Sequence, residues 1–153
     1  MTNGRDRVQS DAAAHGVEVQ IVERPAAGSL AEAAALLGLE PREIVKTLVV
    51  RQHDGGYLFA LIPGDRQISW SKLRAVVGVN RLSLPSPELA LEATGYERGT
   101  ITPIGSTTAW PIYADTSIVG SRIALGAGEH GLTAFVDADD LIAGYGVTVA
   151  EIS

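Results

Sequence analysis

A single lysine inside an apolar segment is the first residue of this chain whose type suggests chemistry. Lys46 lies within residues 43–50, whose β-branched side chains predict a buried strand. Side chains alternate along a strand, so Lys46 shares a face with Ile44, Leu48 and Val50. An ammonium group among apolar neighbours must reach water at a rim, find a partner or line a pocket. The residues leave two alternatives: a strand-end lysine in solvent, or a cleft lysine that meets an anionic or carbonyl-bearing ligand.

A second candidate is the loop from Gly99 through Thr100, Ile101 and Thr102 to Pro103. Glycine and proline favour an irregular backbone, whose N–H groups cannot all pair locally. Free backbone donors directed at a pocket bind a carbonyl oxygen or a developing oxyanion. The residues leave two alternatives: an ordinary connecting loop, or a loop that acts through its backbone amides.

The glycine-rich segment 126–131 has the spacing GxGxxG that is typical of dinucleotide-binding sites. That motif requires a helix directly after it, because the helix N-terminus holds the pyrophosphate. Residues 132–136 instead predict a strand, so the segment is interpreted as a turn between two strands. Glycines allow a ligand to approach the backbone closely. His130 either lines that approach or is an exposed turn histidine.

Composition excludes several classes of site. The chain has no cysteine, which excludes a disulfide framework, a thiolate nucleophile and a cysteine-based zinc site. Its three histidines lie far apart in the sequence, and there is no GxSxG motif of a serine hydrolase. We predict neither a metal nor a cofactor. A net charge of −6 argues against coating nucleic acid and against a DNA partner, but allows a local grip on one end of an RNA.

Length and hydropathy predict one soluble domain. The 153 residues suffice for a single domain, residues 1–153, with its own core. No apolar run is long enough to cross a bilayer, and the N-terminus does not resemble a secretion leader. We therefore expect a cytoplasmic protein without a membrane partner.

Helix-capping and turn signals divide the chain into short elements. The predicted helices are residues 5–15, 30–38, 71–77, 87–94 and 138–144, with a further helical turn at Pro41. The predicted strands are residues 17–22, 45–51, 57–62, 80–84, 121–125, 132–136 and 147–149. Hairpins between scattered helices predict an α+β fold with a mixed, mainly antiparallel sheet.

In their order and spacing, these segments resemble the YbaK/EbsC family, which is related to the insertion editing domain of bacterial prolyl-tRNA synthetases. The resemblance extends from about residue 17 to 145. It rests on five segments, namely residues 45–48, 94–105, 111–115, 126–132 and 140–141. One departure lies in the glycine-rich turn, where Glu129 and His130 stand in place of a basic residue that is common in the family.

The resemblance implies a barrel-like mixed sheet wrapped by helices, and metal-independent hydrolysis of wrongly charged aminoacyl-tRNA. Lys46 matches the family's lysine, and residues 99–103 match its GxxxP loop. The predicted catalytic residues are Lys46, Gly99, Thr100 and Ile101. The predicted substrate-binding residues are Thr47, Thr102, Pro103, Asp115, Gly126, Gly128 and His130.

Our first hypothesis is therefore a free-standing deacylase that binds the 3′ acceptor end of aminoacyl-tRNA. Its substrate would be tRNA(Pro) carrying alanine, cysteine or another small residue, and its partner a prolyl-tRNA synthetase. Water or a ribose hydroxyl would attack the ester. Two alternatives remain, namely a non-catalytic module that binds the aminoacylated 3′ end or another protein, and an amidase or esterase for small molecules.

Overall fold

The computed structural model describes residues 3–153, which form five α-helices and eight strands in two sheets. The helices are α1 Gly4–Ala14, α2 Leu30–Leu37, α3 Trp70–Val77, α4 Pro87–Thr94 and α5 Ala138–Tyr145. The strands are β1 Gln20–Glu23, β2 Val45–Gln52, β3 Tyr57–Pro63, β4 Leu82–Ser83, β5 Ile112–Asp115, β6 Arg122–Gly126, β7 Leu132–Asp137 and β8 Thr148–Ala150. This confirms the predicted α+β class.

The larger sheet has the strand order β4-β2-β3-β5-β8, and the smaller one has the order β1-β7-β6. The pairs β3/β5 and β5/β8 are parallel and the other four pairs are antiparallel, so the sheets are mixed and mainly antiparallel as predicted. Each sheet packs its inner face on a shared apolar core that includes Phe59, Leu61, Ile123 and Val136. A second, smaller cluster lies between the larger sheet and Leu73 of α3.

The barrel-like description is wrong. Between the two sheets, the backbone pairs only at one parallel bridge, Ile44 to Ala124, among the residues that the structure describes. A barrel requires a continuous ladder around its circumference, and one bridge does not supply it. After that bridge, β2 turns away from β6 and pairs with β3 and, at its far end, with β4.

Local capping chemistry explains why most predicted helices form where expected. The Ser29 hydroxyl accepts a hydrogen bond from the Glu32 N–H at 3.1 Å, which caps α2, and Gly38 ends the helix with φ of 70°. The Glu32 carboxylate reaches back one residue further than in the usual capping box, to the N–H of Gly28 at 3.0 Å. Ser86 and Gly95 bound α4 in the same way.

Two predicted strands needed correction, and one strand was missed. The strand expected at 17–22 begins at Gln20, because the N–H of Val17 donates to Ala12 at 2.8 Å and completes the C-terminal cap of α1. The strand at 80–84 shrinks to β4, which pairs only with Arg51 and Gln52. No local pattern predicted β5, whose parallel partners β3 and β8 are distant in sequence.

None of the helices within residues 3–153 is both long and apolar enough to cross a membrane.

Candidate active site

A cleft of about 480 Å³ opens where the two sheets meet. The bridge residues Ile44 and Ala124 lie in its wall, and α2 covers one side with Leu30, Ala33 and Leu37. The predicted site residues that line it are Lys46, Thr47, Gly99, Ile101 and Gly126. The structure thus brings together the β2 lysine, the 99–103 loop and the first glycine of the glycine-rich turn.

Lys46 is the second residue of β2 and lines the cleft from there. It is half-buried and pairs with Ile62 of β3. Its Nζ donates to the carbonyl oxygen of Arg66 at 2.5 Å. No carboxylate within residues 3–153 forms an ion pair with it. An ammonium group has three N–H donors, so two remain for a ligand and its charge is not neutralised by a protein anion.

Thr47 lines the same cleft through the next position of β2. Its hydroxyl oxygen is buried and has no hydrogen-bond partner within the described part of the chain. A buried hydroxyl is normally paired, because leaving it unpaired costs free energy. The hydroxyl is thus an unpaired buried group in the cleft wall, and the predicted contact of Thr47 with substrate stays a prediction.

The 99–103 loop is held by its threonines and leaves some of its amides free. Thr100 donates to the Glu97 carbonyl through both its N–H, at 3.0 Å, and its hydroxyl, at 2.8 Å. The N–H groups of Gly99, Ile101 and Thr102 meet no acceptor among residues 3–153. Thr100 and Thr102 are buried, as is Pro103, so these three support the loop from behind the cleft surface.

The glycine-rich turn packs directly on this loop. The Gly128 N–H donates to the Thr100 carbonyl at 3.0 Å. A trans peptide directs its N–H opposite to its C=O, so the N–H of Ile101 points away from the turn. A side chain at Gly126 would place its Cβ 2.5 Å from the Ile101 carbonyl oxygen, which only glycine avoids. The turn joins β6 to β7, which confirms that this GxGxxG does not precede a helix.

Helix α1 braces the loop from behind. The Arg7 guanidinium donates to the carbonyls of Thr94, Gly95 and Gly105 at 3.1, 3.2 and 2.6 Å. It also lies 4.4 Å above the centre of the Tyr96 ring. Burial raises the pKa of Tyr96 to about 12 against the opposing charge of Arg7, so its hydroxyl stays protonated.

Two further hydrogen bonds complete this brace. The Tyr96 hydroxyl donates to the Ile104 carbonyl at 2.7 Å, inside the segment that follows the loop. The Asp11 carboxylate accepts from the Gly105 N–H at 2.9 Å and from the Tyr145 hydroxyl at 2.6 Å. The loop is therefore fixed at its C-terminal side by residues of α1 and α5.

His130 and Asp115 are not among the residues that line the cleft. The His130 side chain is 68% exposed, and its Nε2 lies 3.2 Å from Glu97 Oε2, next to Gly99. The Asp115 side chain is buried at the end of β5. One carboxylate oxygen accepts from Ile152 N–H and from the Ser153 N–H and hydroxyl, and the other from the N–H and hydroxyl of Ser117.

These contacts give Asp115 a structural role as a cap residue, and its predicted contact with substrate stays a prediction. Burial alone would raise the pKa of its carboxyl group, but the hydrogen bonds from Ser117, Ile152 and Ser153 outweigh burial and lower the pKa to about 2. Asp115 is therefore ionised at neutral pH and ties the C-terminus to β5. Sequence alone did not show this, because its partners at 152 and 153 lie far along the chain.

The cleft also contains polar residues that the sequence analysis missed. They are Arg24, Ser29, Arg98 and Thr133. Arg24 donates from Nε to the Thr133 hydroxyl at 3.1 Å, a contact that depends on the pairing of β1 with β7. Arg98 forms no ion pair within residues 3–153, and its position directly before Gly99 is the signal that would have pointed to it.

Comparisons with known proteins give a consistent result. A sequence model described as the aminoacyl-tRNA editing domain matches residues 24–143. The chain is 36% identical over 101 residues to a proline–tRNA ligase of Thermosipho melanesiensis, covering 66% of this chain and 18% of that protein. It is 34% identical over 118 residues to the same enzyme of Thermotoga neapolitana, covering 77% and 20%. The chain therefore spans about a fifth of the length of these curated relatives.

The fold comparison extends over the whole chain. A solved structure of a protein proposed to be a trans-editing enzyme for prolyl tRNA synthetase superimposes with a TM-score of 0.88 at 28% identity. The match covers 100% of this chain and 98% of that one. Helix α1 is part of this structural match but lies outside the residues that the sequence model matches.

Proposed function

This chain belongs to the aminoacyl-tRNA editing domain family, and on that premise we propose that it is a deacylase for wrongly charged aminoacyl-tRNA. The proposed substrate is tRNA(Pro) carrying alanine, cysteine or another small residue, bound through its 3′ acceptor end. The similarity to proline–tRNA ligases, and to a protein proposed as a trans-editing enzyme, supports this choice of tRNA. A prolyl-tRNA synthetase is the proposed partner that delivers the wrongly charged tRNA.

The observation that carries this proposal is that one cleft is lined by a cationic side chain and by two loop residues whose N–H groups have no acceptor among residues 3–153. Lys46 comes from β2, and Gly99 and Ile101 come from a loop far along the chain. An aminoacyl ester is already reactive, so its hydrolysis requires positioning and stabilisation of charge more than a strong nucleophile. The cleft offers both, from an ammonium group and from amide N–H groups.

In the proposed reaction, water or a ribose hydroxyl of the terminal adenosine attacks the ester carbonyl carbon. The N–H groups of Gly99 and Ile101 stabilise the oxyanion, and Lys46 either binds the terminal phosphate or polarises the carbonyl. The bond from the carbonyl carbon to the ribose oxygen then breaks, and that oxygen takes up the proton lost by the attacking group. When a ribose hydroxyl attacks first, water completes the hydrolysis of the new ester. The products are the free amino acid and uncharged tRNA.

The wall of the cleft supports an apolar aminoacyl side chain. Leu30 and Leu37 of α2 and Leu132 of β7 border the cleft, and the loop backbone closes it from the other side. The same wall is predominantly aliphatic, which favours an apolar group such as the methyl of alanine over a charged side chain.

A panel of charged tRNAs tests this function. We expect turnover of tRNA(Pro) carrying alanine or cysteine and little hydrolysis of tRNA(Pro) carrying proline. An alanyl ester that lacks RNA serves as the control, and it should react at the rate without protein. Equal rates on both esters would favour a small-molecule esterase, and tight binding without turnover would favour a binding module.

A further inference from the structure

A second groove, of about 420 Å³, lies at the opposite end of β2 from Lys46. It is lined by Arg51, Gln52, His53, Arg74, Asn80, Arg81, Leu82 and Ser83. The end of β2, helix α3 and the segment through β4 contribute these side chains. Neither the proposed chemistry nor the sequence motifs involve this groove.

The three arginines of this groove have no partner among residues 3–153. The ion pairs within residues 3–153 involve Arg42, His15 and His130, not Arg51, Arg74 or Arg81. Nor does any of these three guanidinium groups donate a hydrogen bond to another residue in the described range. Like charges gathered around one groove repel each other, and a bound anion relieves that repulsion.

The nearest acidic side chain in the sequence is Asp54, at the tip of the β2–β3 hairpin. Its carboxylate already accepts the N–H of Gly56 at 3.0 Å, and it lies on a neighbouring surface with His53 and Arg81. Arg51 and Arg81 are exposed and Arg74 is half-buried, so all three remain open to solvent. One carboxylate does not neutralise three guanidinium groups.

The wider charge distribution supports the same conclusion. Residues 42–81 contain seven of the twelve lysines and arginines but only three of the eighteen acidic residues, a net charge of +4 in a chain of −6. The remaining residues carry −10. The basic segment contains both ends of β2 and the whole of α3, so a polyanion is attracted to this part of the molecule and repelled by the rest.

The side chains that line this groove are suited to bind the phosphates of a polyanion and not its bases. Arginine, glutamine, asparagine and serine donate to phosphate oxygens. Single-stranded bases are usually held by stacking on aromatic rings, and the only aromatic ring in this groove is the imidazole of His53. Gln52 lies six positions after Lys46 along β2, about 20 Å away at the usual rise per residue, so a ligand that occupies both sites is a large polyanion.

We propose that this arginine groove binds phosphates of the double-stranded acceptor stem while the 3′ end of the same tRNA occupies the cleft. The inference rests on the proposed function, because it takes the substrate to be a tRNA. The groove adds affinity without reading sequence, since phosphate contacts fix position and not base identity. It also provides a local grip on RNA in a protein whose overall charge is negative.

The test measures binding of uncharged tRNA(Pro) as a function of salt, which does not depend on hydrolysis. The variant carries Arg51→Gln, Arg74→Gln and Arg81→Gln together. The matched control is Arg122→Gln, an exposed arginine of β6 that donates to Gln20 outside the groove. Each lost phosphate contact lowers the slope of log affinity against log salt by about one. We therefore expect the affinity of the triple variant for tRNA(Pro) at moderate salt to be lower than that of the wild type by about tenfold or more.

A short single-stranded RNA with the sequence of the 3′ end is the second ligand. It reaches the cleft but not the groove, so the triple variant should bind it as the wild type does. Equal affinity of the wild type and the triple variant for the full tRNA would overturn the proposal, as would the absence of tRNA binding by the wild type. Loss of binding to both RNAs alike would also overturn it, because the arginines would then act on the cleft. Groove-dependent binding without any hydrolysis would refute the proposed function and leave the groove standing.

Discussion

Lys46 combines an uncompensated positive charge with a flexible stem, which suits it to bind a substrate group. Its hydrogen bond to the Arg66 carbonyl holds the ammonium at the edge of the cleft without neutralising it. Because this acceptor is neutral, a ligand anion can take its place or accept from another N–H of the same ammonium group. An ammonium is a compact point charge, whereas the guanidinium of arginine is a larger planar fork.

Replacing this side chain should abolish activity and leave the fold intact. We expect Lys46→Ala and Lys46→Arg to lower kcat/KM for alanyl-tRNA(Pro) by about a hundredfold or more, because both remove the point charge from its position. The free energy of unfolding of Lys46→Ala should fall by only about 1 kcal/mol, the usual worth of one hydrogen bond.

Lys72→Ala is the matched control for this substitution. Lys72 is the only other lysine, and its Nζ also donates to a backbone carbonyl, that of Ser153 at 3.0 Å. It should retain wild-type kinetics. Wild-type rates in both Lys46 variants would contradict the proposed role, and unfolding of Lys46→Ala would instead indicate a structural residue.

Asp115 makes a contrasting prediction about stability. Its pKa in the folded protein, about 2, lies below the ordinary value of 3.8, so its contribution to stability is fully present above about pH 4. That contribution is lost as the pH falls through 2. We expect Asp115→Asn to lower the free energy of unfolding at pH 7 by about 2 kcal/mol and to make its decline in acid shallower.

Chemical denaturation of the wild type and of Asp115→Asn between pH 2 and 7 measures this effect. Asp54→Asn provides the control, because Asp54 is exposed in a turn and accepts one backbone N–H. An unchanged pH dependence in Asp115→Asn would mean that other carboxyl groups dominate acid unfolding.

At the scale of elements, α1 positions the 99–103 loop without lining the cleft. Arg7 binds three carbonyls on both sides of the loop, and Asp11 holds the Gly105 N–H. Gly4 lies so close to Gly128 that a side chain there would collide with the Gly128 carbonyl. The helix therefore links the loop and the glycine-rich turn into one rigid unit.

Arg7→Ala should lower kcat for alanyl-tRNA(Pro) by about tenfold, because the free amides lose their position, and leave KM nearly unchanged. It should also lower the free energy of unfolding by about 3 kcal/mol. Arg5→Ala is the control, since only the backbone N–H of Arg5 makes a described contact, with Glu129. Activity is to be measured well below the melting temperature of each variant. A loss of stability with unchanged kcat would show that α1 only supports the fold.

These elements also show how far the sequence could predict the structure. Signals that act within a few residues, such as Ser29 at the start of α2 or the Asp54–Gly55 turn of the β2–β3 hairpin, were sufficient. Lys46 and the glycine–proline loop could be predicted as candidate site residues for the same reason, because each is recognisable from a short segment of sequence. What the sequence missed depends on distant partners: Arg7 and Gly105 are 98 residues apart, and β5 exists only through its pairing with β3 and β8.

At the scale of the whole molecule, the failure of the two sheets to close creates the site. Because the sheets are joined only at the bridge between Ile44 and Ala124, a gap remains between them. The cleft lies at this gap, with the two bridge residues in its wall. The basic segment 42–81 runs from this gap to the arginine groove. One strand, β2, thus connects the proposed chemistry at its first residues to the proposed stem contact at its last.

Filling the cleft tests the central claim most directly. Ala27 lines the cleft, whereas its neighbour Ala26 is exposed and does not. The measurement is the single-turnover rate constant for deacylation of alanyl-tRNA(Pro), with protein in excess, for the wild type, Ala27→Trp and Ala26→Trp. We expect the wild type and Ala26→Trp to exceed the spontaneous rate by about a hundredfold or more, and Ala27→Trp to approach that spontaneous rate. A wild-type rate equal to the spontaneous one, or full activity in Ala27→Trp, would contradict the assignment of deacylation to this cleft.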